Sequence, residues 1–210
     1  MIRLTAGNQF LIDLWRRGRD KQAVPHLNAS MFIRDINVGK NTLLQFKAPD
    51  GSVRVAHAGG NVESLIGIDL TGVVVSNIYS GSEREELSDM QRAKFLHPFI
   101  IHSHSNTTTL AGEMIQLEML QLPFINQATD EVIYVIGAFE WTHANSKSNL
   151  GGGLKDRTLL SRSTLDVKTL KPFDSEFTIP HVAGAKKLAP VAAAQVGKPE
   201  DTTSADRIEL

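Results

Sequence analysis

The chain contains no cysteine, and this absence removes several kinds of chemistry at once. Disulfide frameworks, thiolate nucleophiles and cysteine-ligated zinc sites are all excluded. An excess of charge is missing as well, because 22 basic residues stand against 23 acidic ones and leave a formal net charge of −1. A balance of this kind does not favour nucleic acid or an acidic membrane surface as a partner.

Long apolar runs are also missing, since none approaches the roughly 20 residues that a bilayer-spanning helix needs. The first residues, Met1 to Gln9, show neither the apolar core nor the cleavage pattern of a signal peptide. We therefore expect a cytoplasmic protein without membrane contact. Hydrophobic residues make up 41% of the 210 residues, which is enough for one sizeable core. One domain with tails is the expected organisation.

Two apolar runs near the middle of the chain predict the centre of a β-sheet. They cover Glu113 to Phe124 and Val132 to Phe139, and a short polar loop joins them, which is typical of an antiparallel strand pair. Both alternate sets of the second run are apolar. A strand with two apolar faces must be covered on both, so we expect it to lie centrally in the sheet.

The remaining elements can be placed around this pair. An amphipathic helix covers Gln9 to Arg19, and a hairpin turns at Pro49-Asp50-Gly51. A longer helix begins at Ser82, with its apolar face predicted at Leu87, Met90, Ala93 and Leu96, and a strand follows over 99–106. This order predicts an α+β fold: a five-stranded antiparallel sheet with short helices on one face, an N-terminal amphipathic helix and a flexible C-terminal tail.

The predicted boundaries divide the chain into four parts. Residues 1–24 hold the first helix and its connector, and residues 25–144 hold the folded domain. Residues 145–180 are predicted to form a glycine-rich linker followed by an extension. We expect the extension to be irregular because its apolar residues are scattered. Residues 181–210 have the composition of a disordered tail.

The sharpest candidate for chemistry is the pair His102 and His104. On a strand the two imidazoles point to the same face, where they could share a zinc ion. Zinc-dependent isopeptidases of the JAMM type begin their metal site with a similar pair, but Ser105 stands here where that family has proline. No acidic residue follows at the family's usual spacing, since Glu113 comes too early. We therefore favour polar strand positions without a metal, and keep a zinc-dependent hydrolase as the alternative.

Several pieces of the sequence resemble the PAS domain, in a PAS-like subfamily common in alphaproteobacteria. They are Leu14-Trp15-Arg16 in the first helix, Gly60-Asn61-Val62, the run Gly67-Ile68-Asp69-Leu70-Thr71-Gly72, and Tyr134 to Ala138. The resemblance covers roughly Gln9 to Trp141. It implies a non-catalytic sensory or regulatory protein that binds a small ligand or a signalling protein. Without an output domain in this sequence, the signal would pass by protein contact.

The resemblance also implies where a ligand and a second copy of the chain would bind. A ligand would lie between the sheet and its helices, and the first helix would form a homodimer; a purely structural dimerisation module is a further alternative. No cofactor is identified, although the absence of cysteine excludes flavin photochemistry of the cysteine-adduct type. The expected ligand-binding residues are Phe46, Val55, Leu65, His102, His104, Ile115, Leu117 and Tyr134. The expected dimer residues are Phe10, Leu11, Leu14 and Trp15.

Overall fold

A computed structural model of the protein describes residues 3–28, 39–78, 81–143 and 153–173. Most of the predicted linker and the whole of the predicted tail therefore lie outside the described residues. The helices are α1 (Ala6–Gly18), α2 (Gly60–Ile66) and α3 (Gly81–Leu96), with a 3₁₀ turn at Val75–Ile78. The strands are β1 (Thr42–Lys47), β2 (Val53–Ala58), β3 (Phe99–Thr109), β4 (Met114–Ile125), β5 (Val132–His143) and β6 (Leu154–Asp166).

The strands form one antiparallel sheet in the order β2-β1-β5-β4-β3-β6. The predicted α+β fold is confirmed, and so is the pairing of the two apolar runs, since β4 and β5 pair from Ile115 opposite His143 to Ile125 opposite Val132. The predicted central position of β5 is confirmed too, because β1 pairs along its other side.

The sixth strand corrects the prediction of five strands, because it lies within residues 145–180, which were expected to form a linker and an irregular extension. Over Leu154–Asp166 the chain pairs with β3 along almost its entire length. Most side chains of β6 are exposed or only half-buried, as expected for a strand at the edge of a sheet. The strand was missed because the apolar alternation that signals a strand comes from burial of one face, and β6 buries little.

Each face of the sheet is covered by a different set of helices. The first, which we call the α3 face, carries the odd-numbered side chains of β3, β4 and β5 and lies against α2, the 3₁₀ turn and α3. α2 ends at Gly67, whose φ of 86° is in the left-handed region that favours glycine. The buried residues of the larger apolar cluster here include Leu43, Val53, Val55, Val62, Leu65, Leu70, Val75, Ile115, Leu117, Met119, Val135 and Phe139.

The opposite face, which we call the α1 face, carries the even-numbered side chains and lies against α1. Helix α1 buries Leu11, Ile12 and Trp15 over apolar residues of β4 and β5. The indole Nε1 of Trp15 donates a hydrogen bond to the carbonyl oxygen of Pro123, at 2.8 Å. Burial of each such side chain contributes about 1.5–3 kcal/mol. This helix is therefore an integral layer of the domain.

The structure places the expected dimer residues in two different environments. Leu11 and Trp15 are only 1% and 0% exposed against the sheet of their own chain. Phe10 is 40% exposed and Leu14 is half-buried. A second copy could therefore reach Phe10 and Leu14 while α1 stays in place, but it could not reach Leu11 or Trp15.

Candidate functional site

The sheet separates the eight expected ligand-binding residues into two groups. Val55, Leu65, Ile115 and Leu117 belong to the apolar cluster on the α3 face. Strand alternation places Phe46, Tyr134, His102 and His104 on the α1 face instead. No single pocket can be lined by all eight, because the two groups lie on opposite sides of the same sheet.

The most unusual residue on the α3 face is a buried lysine. Lys94 of α3 has an exposed fraction of 0%, although lysine is almost never fully buried without a partner of opposite charge. Its ammonium group donates a hydrogen bond to Gln121 Oε1 on β4. Burial holds the pKa of Lys94 well below its usual value, since desolvation disfavours the charged form. No ion pair among the described residues includes Lys94.

Further polar side chains are buried on the same face. Gln91 Nε2 lies 3.5 Å from Gln121 Oε1, the same oxygen that accepts from Lys94. Within the described part of the chain, four buried side-chain oxygens have no hydrogen-bond partner here: Gln45 Oε1, Gln91 Oε1, Ser103 Oγ and Thr107 Oγ1. Of these residues, only Gln91 is in hydrogen-bond contact with Gln121, so Lys94, Gln91 and Gln121 form one buried polar set. Buried polar groups are nearly always hydrogen-bonded in native proteins, so this set can engage a polar molecule.

A small cavity of about 140 Å³ lies beside this polar set. It has room for about four or five water molecules at ~30 Å³ each. Met119 joins the two features, since it lines the cavity and its Sδ accepts a hydrogen bond from Gln121 Nε2 at 3.3 Å. The lining residues are Leu43, Ile66, Ile78, Leu117, Met119, Phe139, Leu154, Lys155, Asp156 and Arg157.

Sequence reasoning placed Met90 and Ala93 correctly on the buried side of α3, but it missed Lys94 on the same side. Leu96, expected on the apolar face, is 53% exposed, whereas Lys94 and Phe95 are buried beside Met90 and Ala93. A signal was present, because Lys94 follows Met90 at the i, i+4 spacing that puts two residues on one side of a helix.

On the α1 face, two ionisable side chains are buried as a pair. His102 Nε2 and Glu118 Oε1 are 2.8 Å apart, and each residue is only 4% exposed. Glu118 Oε2 accepts a hydrogen bond from the backbone N–H of Thr5 at 3.0 Å, at the start of α1. Burial alone would raise the pKa of Glu118, but the hydrogen bonds from His102 and Thr5 outweigh it and lower the pKa to about 2. Glu118 therefore anchors the N-terminus of α1, where a negative charge is stabilising.

A second carboxylate lies directly opposite the first, since Glu140 of β5 is the register partner of Glu118. Burial raises the pKa of Glu140 and the negative charge of Glu118 raises it further, which together outweigh the hydrogen bond from Asn41. Helix α1 comes so close that a Cβ at position 7 would collide with Glu140 Oε1. A side chain at position 7 would therefore require the carboxylate of Glu140 to move aside.

His104 completes a cluster with His102 and Glu118. The two imidazole centroids are 4.6 Å apart and their planes are nearly perpendicular, at 86°. One nitrogen of each histidine and one oxygen of Glu118 lie within 4.8 Å of one another. Sequence reasoning rejected an acidic partner at the expected spacing downstream. It did not consider the neighbouring strand, where the β3–β4 hairpin sets Glu118 directly opposite His104.

Comparison with known families agrees with the fold. The family model of the PAS domain matches residues 5–140, and the chain therefore belongs to the PAS domain family. PAS domains are typically non-catalytic sensory modules, so membership supports a sensory or regulatory role in general. No curated protein matches the chain. Among the described residues, no helix has the length and apolar character needed to cross a membrane.

Proposed function

We propose that this protein is a non-catalytic PAS sensor that binds a small ligand on the α3 face and signals through protein contact. The ligand presents a carbonyl or carboxylate oxygen to Lys94. The observation that carries the proposal is the fully buried Lys94. Among the described residues, the only acceptor for its ammonium group is the neutral amide oxygen of Gln121.

The energetics of Lys94 favour an acceptor that comes from outside the chain. Burying a polar group without adequate partners costs about 1–3 kcal/mol in proteins, and burying an unpaired charge costs more. A ligand oxygen beside the ammonium group offsets that cost and favours the charged form. The unpartnered Oε1 of Gln91, whose Nε2 lies 3.5 Å from Gln121 Oε1, can accept a hydrogen bond from a donor on the same ligand.

Met119 offers a way into this region. It lines the cavity and accepts a hydrogen bond from Gln121, and methionine rotates easily among several conformations. A shift of this side chain would extend the cavity toward Lys94 without moving the backbone of β4.

Strand β4 also connects the proposed ligand site to the rest of the molecule. Gln121 faces Lys94, and two residues further on the carbonyl of Pro123 accepts the hydrogen bond from Trp15 of α1. A ligand that displaces Gln121 would therefore act on the strand that holds α1. The expected homodimer would then sense this change through the outer side of α1, at Phe10 and Leu14.

A ligand screen on the wild-type protein and the Lys94→Met variant tests this proposal. Small carboxylates and carbonyl compounds should raise the melting temperature of the wild type, and Lys94→Met should abolish the shift. Lys47→Met is the matched control, because Lys47 is exposed on β1 and does not line the cavity. No shift in the wild type with any compound would overturn the ligand half of the proposal and favour the purely structural dimerisation module. An equal shift in Lys94→Met would overturn the role of Lys94 in binding.

The geometry favours a binding role over the alternative of a zinc-dependent hydrolase. A hydrolase needs a reactive water that a substrate can approach, whereas His102 and Glu118 are buried below the first turn of α1. Assay of the purified protein against isopeptide-linked substrates provides the check, and turnover that disappears in His104→Ala would support the hydrolase.

A further inference from the structure

The cluster on the α1 face contains the donor atoms that divalent transition metals prefer. Imidazole nitrogen and carboxylate oxygen are common ligands of zinc, and three protein ligands leave a position for water. His102 and His104 lie two residues apart on β3, and Glu118 lies opposite His104 on β4. The sheet itself therefore holds all three side chains on one face, without help from a loop.

The separations are close to those of a metal site. Ligand atoms ~2.0–2.1 Å from a tetrahedral zinc ion are roughly 3.3 Å apart. His102 Nε2 and Glu118 Oε1 are already 2.8 Å apart, and no pair in the cluster exceeds 4.8 Å. Rotation of the half-buried His104 ring about its outer torsion can close a gap of this size, because that torsion is broad.

The surroundings of Glu118 resemble the outer shell of a metal site. Ligating carboxylates are themselves hydrogen-bonded, which fixes their orientation. Glu118 Oε2 is held by the backbone N–H of Thr5, so Oε1 could bind a metal while this contact persists. His104 is half-buried, and its register partner on β6, Ser161, is exposed, which leaves a route from solvent.

The local charge also favours a cation. Glu118 and Glu140 face each other on adjacent strands, and His102 is the only ion-pair partner of either among the described residues. A divalent cation would compensate both carboxylates.

From this donor set, spacing and charge, we propose that His102, His104 and Glu118 bind one divalent transition-metal ion of the zinc class beneath the N-terminus of α1. The ion replaces the hydrogen bond between His102 and Glu118 and ties β3, β4 and α1 together. It is distinct from any ligand on the α3 face. Because the sheet lies between the two sites, Lys94→Met should leave metal binding unchanged.

Zinc titration of the chelator-treated, full-length protein tests this site. Calorimetry and elemental analysis after gel filtration should find one Zn²⁺ per chain in the wild type and none in His104→Ala. His57→Ala is the matched control for adventitious binding, because His57 is exposed on β2 and should retain full binding. Bound zinc should also raise the melting temperature of the wild type and of His57→Ala, but not that of His104→Ala.

Histidine NMR on the wild type gives a second readout that does not depend on the folding of a variant. Zinc should shift the ring signals of His102 and His104, while those of the exposed His57 and His97 remain in place. The site is disproved if the wild type binds no zinc, if His104→Ala binds as much as the wild type, or if the shifts occur only at the exposed histidines.

Discussion

Each face of the sheet buries an ionisable group, but the charged form is stabilised on one face and destabilised on the other. On the α1 face, hydrogen bonds from His102 and the backbone of Thr5 favour ionised Glu118 and lower its pKa to about 2 despite burial. On the α3 face, Lys94 has the amide oxygen of Gln121 as acceptor, and burial lowers its pKa well below the usual value.

The difference indicates that Glu118 has a structural role, whereas Lys94 lacks a partner of opposite charge among the described residues. The carboxylate of Glu118 is compensated by its own chain and attaches α1 to the sheet. The amine of Lys94 is buried without equal compensation, which is the arrangement that an acceptor from a ligand would improve. Removal of Glu118 should therefore destabilise the protein, whereas removal of the Lys94 amine should stabilise it.

The largest expected effect follows removal of the compensated charge. Glu118→Ala leaves His102 and the N–H of Thr5 buried without their acceptor, and breaking a buried pair costs about 3–5 kcal/mol. Urea denaturation should report a loss of that size. Glu131→Ala, at an exposed position, should unfold like the wild type. A Glu118→Ala protein as stable as the Glu131→Ala control would mean that the pair does not hold α1.

The next effect is the acid dependence that the same carboxylate produces. The pKa of Glu118 is about 2 in the folded protein, against an ordinary value of 4.5, so the unfolded chain binds more protons between these values. Its contribution to stability is therefore complete above about pH 4.5 and is lost as the pH falls toward 2. The free energy of unfolding of Glu118→Gln should fall less over this window than that of the wild type. If the free energy of unfolding fell equally in the wild type and in Glu118→Gln over this window, the lowered pKa would be contradicted.

Removal of the uncompensated charge should stabilise the protein. Lys94→Met keeps an unbranched side chain of similar length in the core and removes the cost of burying an amine. We expect the free energy of unfolding at pH 7 to rise by about 1–3 kcal/mol. Urea denaturation of the ligand-free protein provides the measurement, with Lys155→Met as the exposed control. A clear loss of stability in Lys94→Met would show that Gln121 alone compensates the charge.

The smallest expected effect concerns the second carboxylate of the α1 face. Because burial and the charge of Glu118 raise the pKa of Glu140, its contribution to stability falls as the pH rises through 4.5 to the raised value. Glu140→Gln should therefore be slightly more stable than the wild type at pH 7, by about 1 kcal/mol at most, since Glu140 is partly exposed to screening solvent. Thermal unfolding at pH 7 would refute this if the variant melted clearly below the wild type.

The sequence predicted the sheet and its helices well because burial leaves a periodic apolar pattern. β4 and β5 carry such patterns, and so does α1. β6 does not, since an edge strand with exposed side chains needs no apolar alternation, and it was expected to be irregular. Helix α1 shows the same contrast. The sequence pattern identified Leu11 and Trp15 as part of an apolar stripe, but it could not show whether the stripe packs on the domain's own sheet or on a second copy.

The charged residues of both candidate sites were harder to predict, because their roles depend on tertiary neighbours. Glu118 is 14 residues from His104 in sequence but directly opposite it across the β3–β4 hairpin. In the sequence Lys94 resembles a solvent-exposed residue, and only the orientation of α3 against the sheet shows that it is buried. Register and helix rotation, which sequence patterns define to only a residue or two, decide which charges are buried and beside what.

The titration of Lys94 by NMR tests the central claim most directly. Protein with ¹³C-labelled lysine side chains gives one Cε signal per lysine, and Lys94→Met identifies the signal of Lys94. We expect this amine to titrate well below the ordinary value of 10.5, and a bound carboxylate or carbonyl ligand to raise its pKa. A Lys94 signal that titrates near 10.5 in the ligand-free protein would show that burial does not disfavour the charged amine.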